Sequence, residues 1–302
     1  MPPGELLQPE YRAGGTDVSE RRRSGVSRGP ILYVAAPAGL VASPDGGLRI
    51  GALTTVAALA GDPAIRSGYP GLAAAAAGLA TPQIRRVATL GGNIAQRNRC
   101  VYFRNPEIAC LKKGGEGCPA RTGFALHAVA FDRADCVAPH PSTLAAALLA
   151  YDARLDTDRR RELPLAEALG DGRATVGETA LAPGELITHV TLPAPVTNER
   201  AAYKRAIGRA HAEWPLVELV ASVTLEAGVF ARVRLVAGGV APVPLRLSAA
   251  EAAALGKPAS VATFAAAAAA AVKGANPLPQ TRYKLDLLQG LVLDLLDMVT
   301  SG

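Results

Sequence analysis

The chain has 302 residues, 49% of them hydrophobic and 19% charged, which suits one large or two medium domains with proper cores and excludes a disulfide-stapled miniprotein or a disordered chain. Charges interrupt every apolar run before the roughly 18–20 residues that a membrane span needs, so no spanning helix is expected. With 32 basic and 26 acidic residues the net charge is +6, but the basic runs at 21–23 and 159–161 are short and only 4% of residues are aromatic, so these runs read as solvated loops and helix ends and no nucleic-acid surface is expected.

The first residues show neither a charged leader, an apolar core segment nor a twin-arginine motif, so the chain read alone is expected in the cytoplasm. Glycine and proline then punctuate short elements throughout. Residues 48–50 read as a strand, and 55–59 and 144–151 have helical spacing. Pro193-Ala194-Pro195 forms a natural boundary. Beyond it, 201–246 reads as antiparallel strands, with 233–236 as an apolar run, and 261–272 and 285–298 as helices against that sheet. The fold class is α+β. The alanine runs at 72–79 and 264–272 read as close helix packing, and no internal repeat is visible.

The four cysteines, Cys100, Cys110, Cys118 and Cys136, share one short window, which asks for shared chemistry. A reducing cytosol argues against two disulfides and for ligation of a metal or cluster. Nine, seven and seventeen residues intervene, unlike the tight C-x2-4-C knuckles of zinc sites. Such spacing favours an iron-sulfur cluster, with zinc and unligated thiols as the other readings. Lys112-Lys113-Gly114-Gly115 and Gly117-Cys118-Pro119 fit a loop around a polyanionic object: glycines for unusual angles, amides for sulfur and local positive charge.

Two glycine-rich turns stand out, Ala13-Gly14-Gly15-Thr16-Asp17 and Thr89-Leu90-Gly91-Gly92-Asn93. Paired glycines with neighbouring Thr or Asn donors suit a pyrophosphate nest, although either turn alone also reads as plain punctuation. Neither a G-x-G-x-x-G nor a P-loop sequence is present, so a nucleotide cofactor would be held in another way. His127, His140, His189 and His211 are scattered and read as structural, and Trp214 reads as a core or interface aromatic.

Taken together, these turns, 48–55, His140-Pro141-Ser142, 183–187, Tyr203-Lys204-Arg205, 238–242, 275–278 and Tyr283-Lys284 occur in an order that resembles the FAD-binding subunits of molybdenum hydroxylases, such as xanthine dehydrogenase, aldehyde oxidoreductase and carbon monoxide dehydrogenase. The resemblance implies a PCMH-type FAD-binding domain of two subdomains over 1–195 and a C-terminal antiparallel sheet-plus-helices domain over 198–302. The cysteine loop at about 98–140 is similar to an insert that carries a 4Fe-4S cluster in a subset of these subunits, among them 4-hydroxybenzoyl-CoA reductase. The implied ligands are Cys100, Cys110, Cys118 and Cys136.

By the same resemblance, Gly14, Gly15, Thr16 and Asp17, with Tyr11, Arg12 and Ala13 beside them, wrap one side of the FAD diphosphate. Ala88, Thr89, Gly92 and Asn93 close the other. Ile187 is expected on the isoalloxazine ring and Lys204 at its pyrimidine edge, with a surface salt bridge as the alternative for the lysine. Ser142 matches the family's His-Pro-Ser-Asp stretch, but Thr143 replaces its acidic residue, which is expected to weaken that contact. Twelve residues precede Ala13, fewer than the family pattern, and 18–30 lack the apolar helix expected after the first motif.

The function implied is an electron-transferring flavoprotein, an FAD-dependent oxidoreductase subunit with no catalytic acid, base or nucleophile of its own. Its implied partners are a molybdopterin-binding large subunit and a 2Fe-2S small subunit in a hetero-oligomer, periplasmic only if a signal-bearing partner exports it. The rival readings are a structural subunit that has lost FAD and a free-standing flavin oxidase. The second lacks a legible substrate pocket.

Overall fold

The computed structural model describes residues 8–174, 176–208 and 213–301; His211, read above as structural, lies outside them. The chain opens on a small parallel pair, β1 (Glu10–Arg12) and β2 (Ile31–Tyr33), joined through helix α1 (Thr16–Arg23). Next come β3 (Leu40–Ala42), β4 (Leu48–Gly51) and five short helices: α2 (Val56–Gly61), α3 (Pro63–Gly68), α4 (Pro70–Gly78), α5 (Pro82–Val87) and α6 (Leu90–Ile94). Proline opens α3, α4 and α5, where its missing N–H costs nothing.

After the cysteine segment follow α7 (Thr143–Ala150), β5 (Arg154–Thr157), β6 (Leu163–Pro164), α8 (Leu165–Leu169) and β7 (Ile187–Leu192). Strands β3, β4, β7, β5 and β6 form, in that order, a five-stranded antiparallel sheet. Beyond Pro193-Ala194-Pro195 lies a four-stranded antiparallel sheet of β8 (Arg200–Ala206), β9 (Val217–Glu226), β10 (Val229–Gly238) and β11 (Leu245–Arg246). Helices α9 (Ser248–Ala254), α10 (Val261–Ala271) and α11 (Tyr283–Thr300) complete the chain. The mixed α+β architecture agrees with the sequence reading. Among the described residues no helix is long and apolar enough to cross a membrane.

Strand β9 is buried without a break from Val217 to Val223, because both faces of its sheet are covered. Val220 and Val236 pack into the first core with α4 and α7, while Leu219, Ala221, Val223 and Leu235 pack into a second core with α10 and α11. The period of two thus divides one strand between two cores.

A helix, α1, does follow the first motif, but it is not the apolar one of the family pattern. Its sequence is polar, and charge rather than an apolar face fixes it: Arg21, read above as solvated, is buried and ion-paired to both Glu10 and Asp17. Arg160 of the other basic run pairs with Glu185. The cysteine segment contains no helix or strand beyond the 3-10 turns Leu111–Lys113 and Pro119–Arg121, and it packs around Val129, Val137, Ala120 and Phe103.

Candidate functional site

The two glycine turns meet at one cleft. Gly14 lies so close to the chain entering the second turn that a Cβ there would overlap the Val87 carbonyl. Gly15, at φ +75°, is the N-cap of α1 and leaves the helix without a side-chain cap. A Cβ at Gly15 would also come within 2.7 Å of the Arg12 guanidinium. Only glycine satisfies both positions. The uncapped first turn of α1 presents backbone N–H groups and the positive end of its dipole, which suits an anion.

Across the cleft, Thr89 caps α6, its Oγ1 accepting from Gly92 N at 3.2 Å. Leu90 N and Gly91 N donate to Thr54 and Ala52 carbonyls, both at 2.9 Å, which locks the second turn onto the end of β4. Asn93 Oδ1 accepts from Ser142 Oγ at 2.7 Å and Leu144 N at 3.3 Å. Its amide NH2 has no protein partner among the described residues and is the donor left over where Asn93 lines the cleft.

The third wall is the start of β7, where Glu185 fixes the turn. Its carboxylate takes a bidentate grip from Arg160 at 2.7 and 2.8 Å, then Thr157 Oγ1 at 2.7 Å and Ala182 N at 2.9 Å. The Arg160 contact first, and then these other hydrogen bonds, pull its pKa down to about 2. This places buried Ile187 on the cleft wall.

Asp17 also lines the cleft, but its carboxylate is engaged from behind by Arg21 at 3.0 Å, Arg104 at 2.7 Å and Arg99 at 3.1 Å. These contacts rivet α1 to the head of the cysteine segment. Burial first, and then the neighbouring Arg97 and Arg104, lower the Arg21 pKa to about 9. The amides of the first glycine turn and the Asn93 amide form a donor set suited to a diphosphate, while Arg21 on the rim is committed to Glu10 and Asp17.

The four cysteines, all free thiols, line one small cavity, walled also by Tyr102, Phe103 and Lys112. Cys136 and Cys118 are hydrogen-bonded to one another, which lowers the Cys118 thiol and raises that of Cys136; burial raises Cys100 and Cys110. Gly115 approaches Cys110 so closely that a Cβ would sit 2.9 Å from its nitrogen. Lys113 Nζ donates to the Tyr102 and Asn105 carbonyls at 3.1 and 2.6 Å, and Lys112 Nζ to those of Ala174 and Gly177. Both lysines staple the loop. Among the described residues no group of three or more His, Cys, Asp or Glu side chains is arranged to hold a single metal ion.

Residues 11–195 match the FAD binding domain in molybdopterin dehydrogenase, and residues 201–299 match the CO dehydrogenase flavoprotein C-terminal domain. The chain belongs to the FAD-binding subunits of the molybdenum hydroxylase family. This subunit is 36% identical over 253 residues to the aldehyde oxidoreductase FAD-binding subunit PaoB of Escherichia coli K12, covering 80% of this chain and 78% of that one. It is 28% identical over 301 residues to the putative xanthine dehydrogenase FAD-binding subunit XdhB of the same strain, covering 93% and 85%. Among solved structures, the fold superposes with TM-score 0.73 on carbon monoxide dehydrogenase from Hydrogenophaga pseudoflava, at 22% identity, and 0.74 on quinoline 2-oxidoreductase from Pseudomonas putida 86, at 19% identity. Each covers 97% of this chain and 90% of the other.

In this flavin subunit the cleft gathers Tyr11, Ala13, Gly14, Gly15, Thr16 and Asp17 with Ala88, Thr89, Gly92, Asn93 and Ile187. Four residues of the expected set stand elsewhere. Arg12 packs its guanidinium beside Gly15 without lining the cleft. Ser142 lies behind Asn93 as the N-cap of α7. Thr143 donates to Glu218 at 2.8 Å inside the protein, where Tyr203 also donates at 2.7 Å. Lys204 is half-exposed and pairs with Asp294 of α11, the surface alternative. Ala52, Leu53, Gln96, Glu185 and Arg21 line the cleft without having been singled out for it. The 48–55 and 183–187 stretches carried a signal for three of them, whereas nothing in the sequence marked Arg21 or Gln96.

Proposed function

We propose that this subunit binds one FAD and one 4Fe-4S cluster and relays electrons between iron-sulfur centres of its complex and an external acceptor. Bound FAD supplies a centre able to exchange electrons in pairs or singly, and the cluster supplies a one-electron relay. The protein's own work is placement. The two glycine turns hold the diphosphate between Gly14 and Gly92, Asn93 donates to it, and Ile187 gives the ring an apolar face. The single observation that carries the flavin reading is the meeting of both glycine turns and Ile187 at one cleft. For the cluster, support comes from all four thiols lining one cavity and from lysine staples that hold the loop by its own carbonyls and those of 174–177.

The domain division follows the same reading: an FAD-binding domain over 1–195 with the insert at about 98–140, and a flavoprotein C-terminal domain over 198–302. Relatives described as FAD-binding subunits of aldehyde oxidoreductase and xanthine dehydrogenase support partners of the same kind, a molybdopterin-binding large subunit and a 2Fe-2S small subunit. Anaerobic purification of the co-expressed complex, with FAD, iron and sulfide measured per chain, tests the proposal. A Cys110→Ser variant is expected to lose four irons and keep its flavin. An unchanged iron count would overturn the cluster assignment, and absence of FAD the flavin assignment.

A further inference from the structure

A second and larger cavity, about 330 Å³, lies apart from the cleft, between the cysteine segment and the C-terminal sheet. Its size falls within the range of about 300–1,000 Å³ common for small-molecule sites. Its walls are mainly apolar and include Phe124 and Trp214, the chain's single tryptophan. Trp214 is stacked by Arg99, with the guanidinium 4.1 Å from the ring centre, which fixes an aromatic plane at the cavity edge.

Two buried donors in this wall have hydrogen-bonding capacity to spare: one has no acceptor among the described residues and the other has two of a possible three. His140 is 4% exposed, its Nδ1 accepts from Ser142 N at 3.3 Å, and its Nε2 has no partner among the described residues. With Nδ1 accepting, the neutral ring carries its proton on Nε2, so the unpaired atom is a donor. Lys284 is 1% exposed and gives its ammonium to Gly239 and His127 carbonyls at 2.7 and 3.3 Å. Two contacts leave the third N–H available. A donor buried as deeply as His140 Nε2 without an acceptor is costly and marks a place where a ligand oxygen is wanted, with the spare Lys284 N–H beside it.

We propose that this cavity binds a small, planar aromatic carbonyl compound of the quinone class, its ring against Trp214 and its oxygens accepting from His140 and Lys284. A neutral ligand is favoured over an aromatic carboxylate because the buried Glu218 carboxyl group shares the wall with the Lys284 ammonium, and Arg99 is committed to Asp17 and Glu20, which leaves no unbalanced positive charge for a second anion. A dinucleotide is disfavoured because the glycine turns belong to the other cleft. The redox class follows from Cys100, which lines both this cavity and the cysteine cavity. A ring bound here rests against the thiol loop.

Duroquinone, fully substituted and so unable to alkylate thiols, is titrated into the FAD-loaded chain while Trp214 fluorescence is followed. Saturable quenching with one site per chain is expected. His140→Phe is expected to weaken binding at least tenfold with circular dichroism unchanged, and durene, the same ring without oxygens, to bind at least tenfold more weakly. Should His140→Phe not fold, Ala128→Leu, which fills the cavity from a small wall residue, is expected to abolish the saturable phase. Linear, unsaturable quenching, equal binding of durene, or indifference to the variants overturns the proposal. Displacement of duroquinone by FAD also overturns it, by giving the cavity to the flavin. A chain that binds duroquinone but no FAD would fail the flavin reading alone.

Discussion

Thr143 shows how a side chain can depart from a family pattern for a reason visible only in three dimensions. The sequence suggested a lost contact to the cofactor, yet the hydroxyl serves the buried Glu218, whose carboxyl burial pushes up in pKa. Room for that carboxylate comes from Gly238, where a Cβ would overlap it. Restoring the acid as Thr143→Asp sets two carboxyl groups against each other, so one must hold a proton or both destabilise the sheet. The variant is expected to lose about 3 kcal/mol at pH 7 in urea denaturation, to recover part of it at pH 5, and to gain no flavin. A neutral or stabilising effect would mean that Glu218 faces a different partner. His140 gives a second residue-level prediction. Burial lowers its pKa from 6.5 to about 4, so between those values the unfolded chain takes up a proton that the folded chain refuses. Stability therefore falls as pH drops from 6.5 to 4 and levels off below, by about 3 kcal/mol in all. His140→Gln, which does not titrate, is expected to flatten that window of the stability curve. Of the residues expected at the site, the glycines and Ile187 do line the cleft, and local backbone shape or an apolar face is something a sequence can signal. Thr143 and Lys204 do not line it, because partners 75 and 90 positions away decide where they point.

At the level of elements, α1 is the clearest case of tertiary charge outweighing pattern. Its eight residues have no apolar stripe, so an apolar helix was not expected there, and its arginines looked like a solvated run. Instead Arg104 reaches back from the cysteine segment to Asp17, Glu20 and the Arg97 and Asn98 carbonyls. Removing one member of such a buried network leaves carboxylates unpaired. Arg104→Ala is expected to cost about 3 kcal/mol and to speed amide exchange in α1 and the cysteine segment while leaving β9 protected. Uniform loss of protection across both sheets would contradict an α1 held chiefly by this network. The helices α7, α10 and α11, by contrast, were readable from apolar spacing, and α4 from its alanine run, because packing alone fixes them.

For the whole molecule, the four-stranded sheet is the shared wall of two cores, with α4 and α7 from the first half packed on one face and α10 and α11 on the other. The α+β class and the antiparallel character of the second half follow from period and punctuation. The clamping of that sheet between two cores does not, since the packing of α4 and α7 from the first half onto β8, β9 and β10 leaves no local trace. That arrangement holds α7, and through Ser142 and Asn93 it braces the cleft floor. The central claim is that the two glycine turns form a diphosphate site. It is tested most directly by titrating the flavin-free chain with FAD and with riboflavin under the same conditions. The account predicts one FAD per chain and binding of riboflavin, which lacks the diphosphate, weaker by at least about a hundredfold, or some 2.7 kcal/mol. Equal affinity for the two, or no binding of FAD, would contradict it.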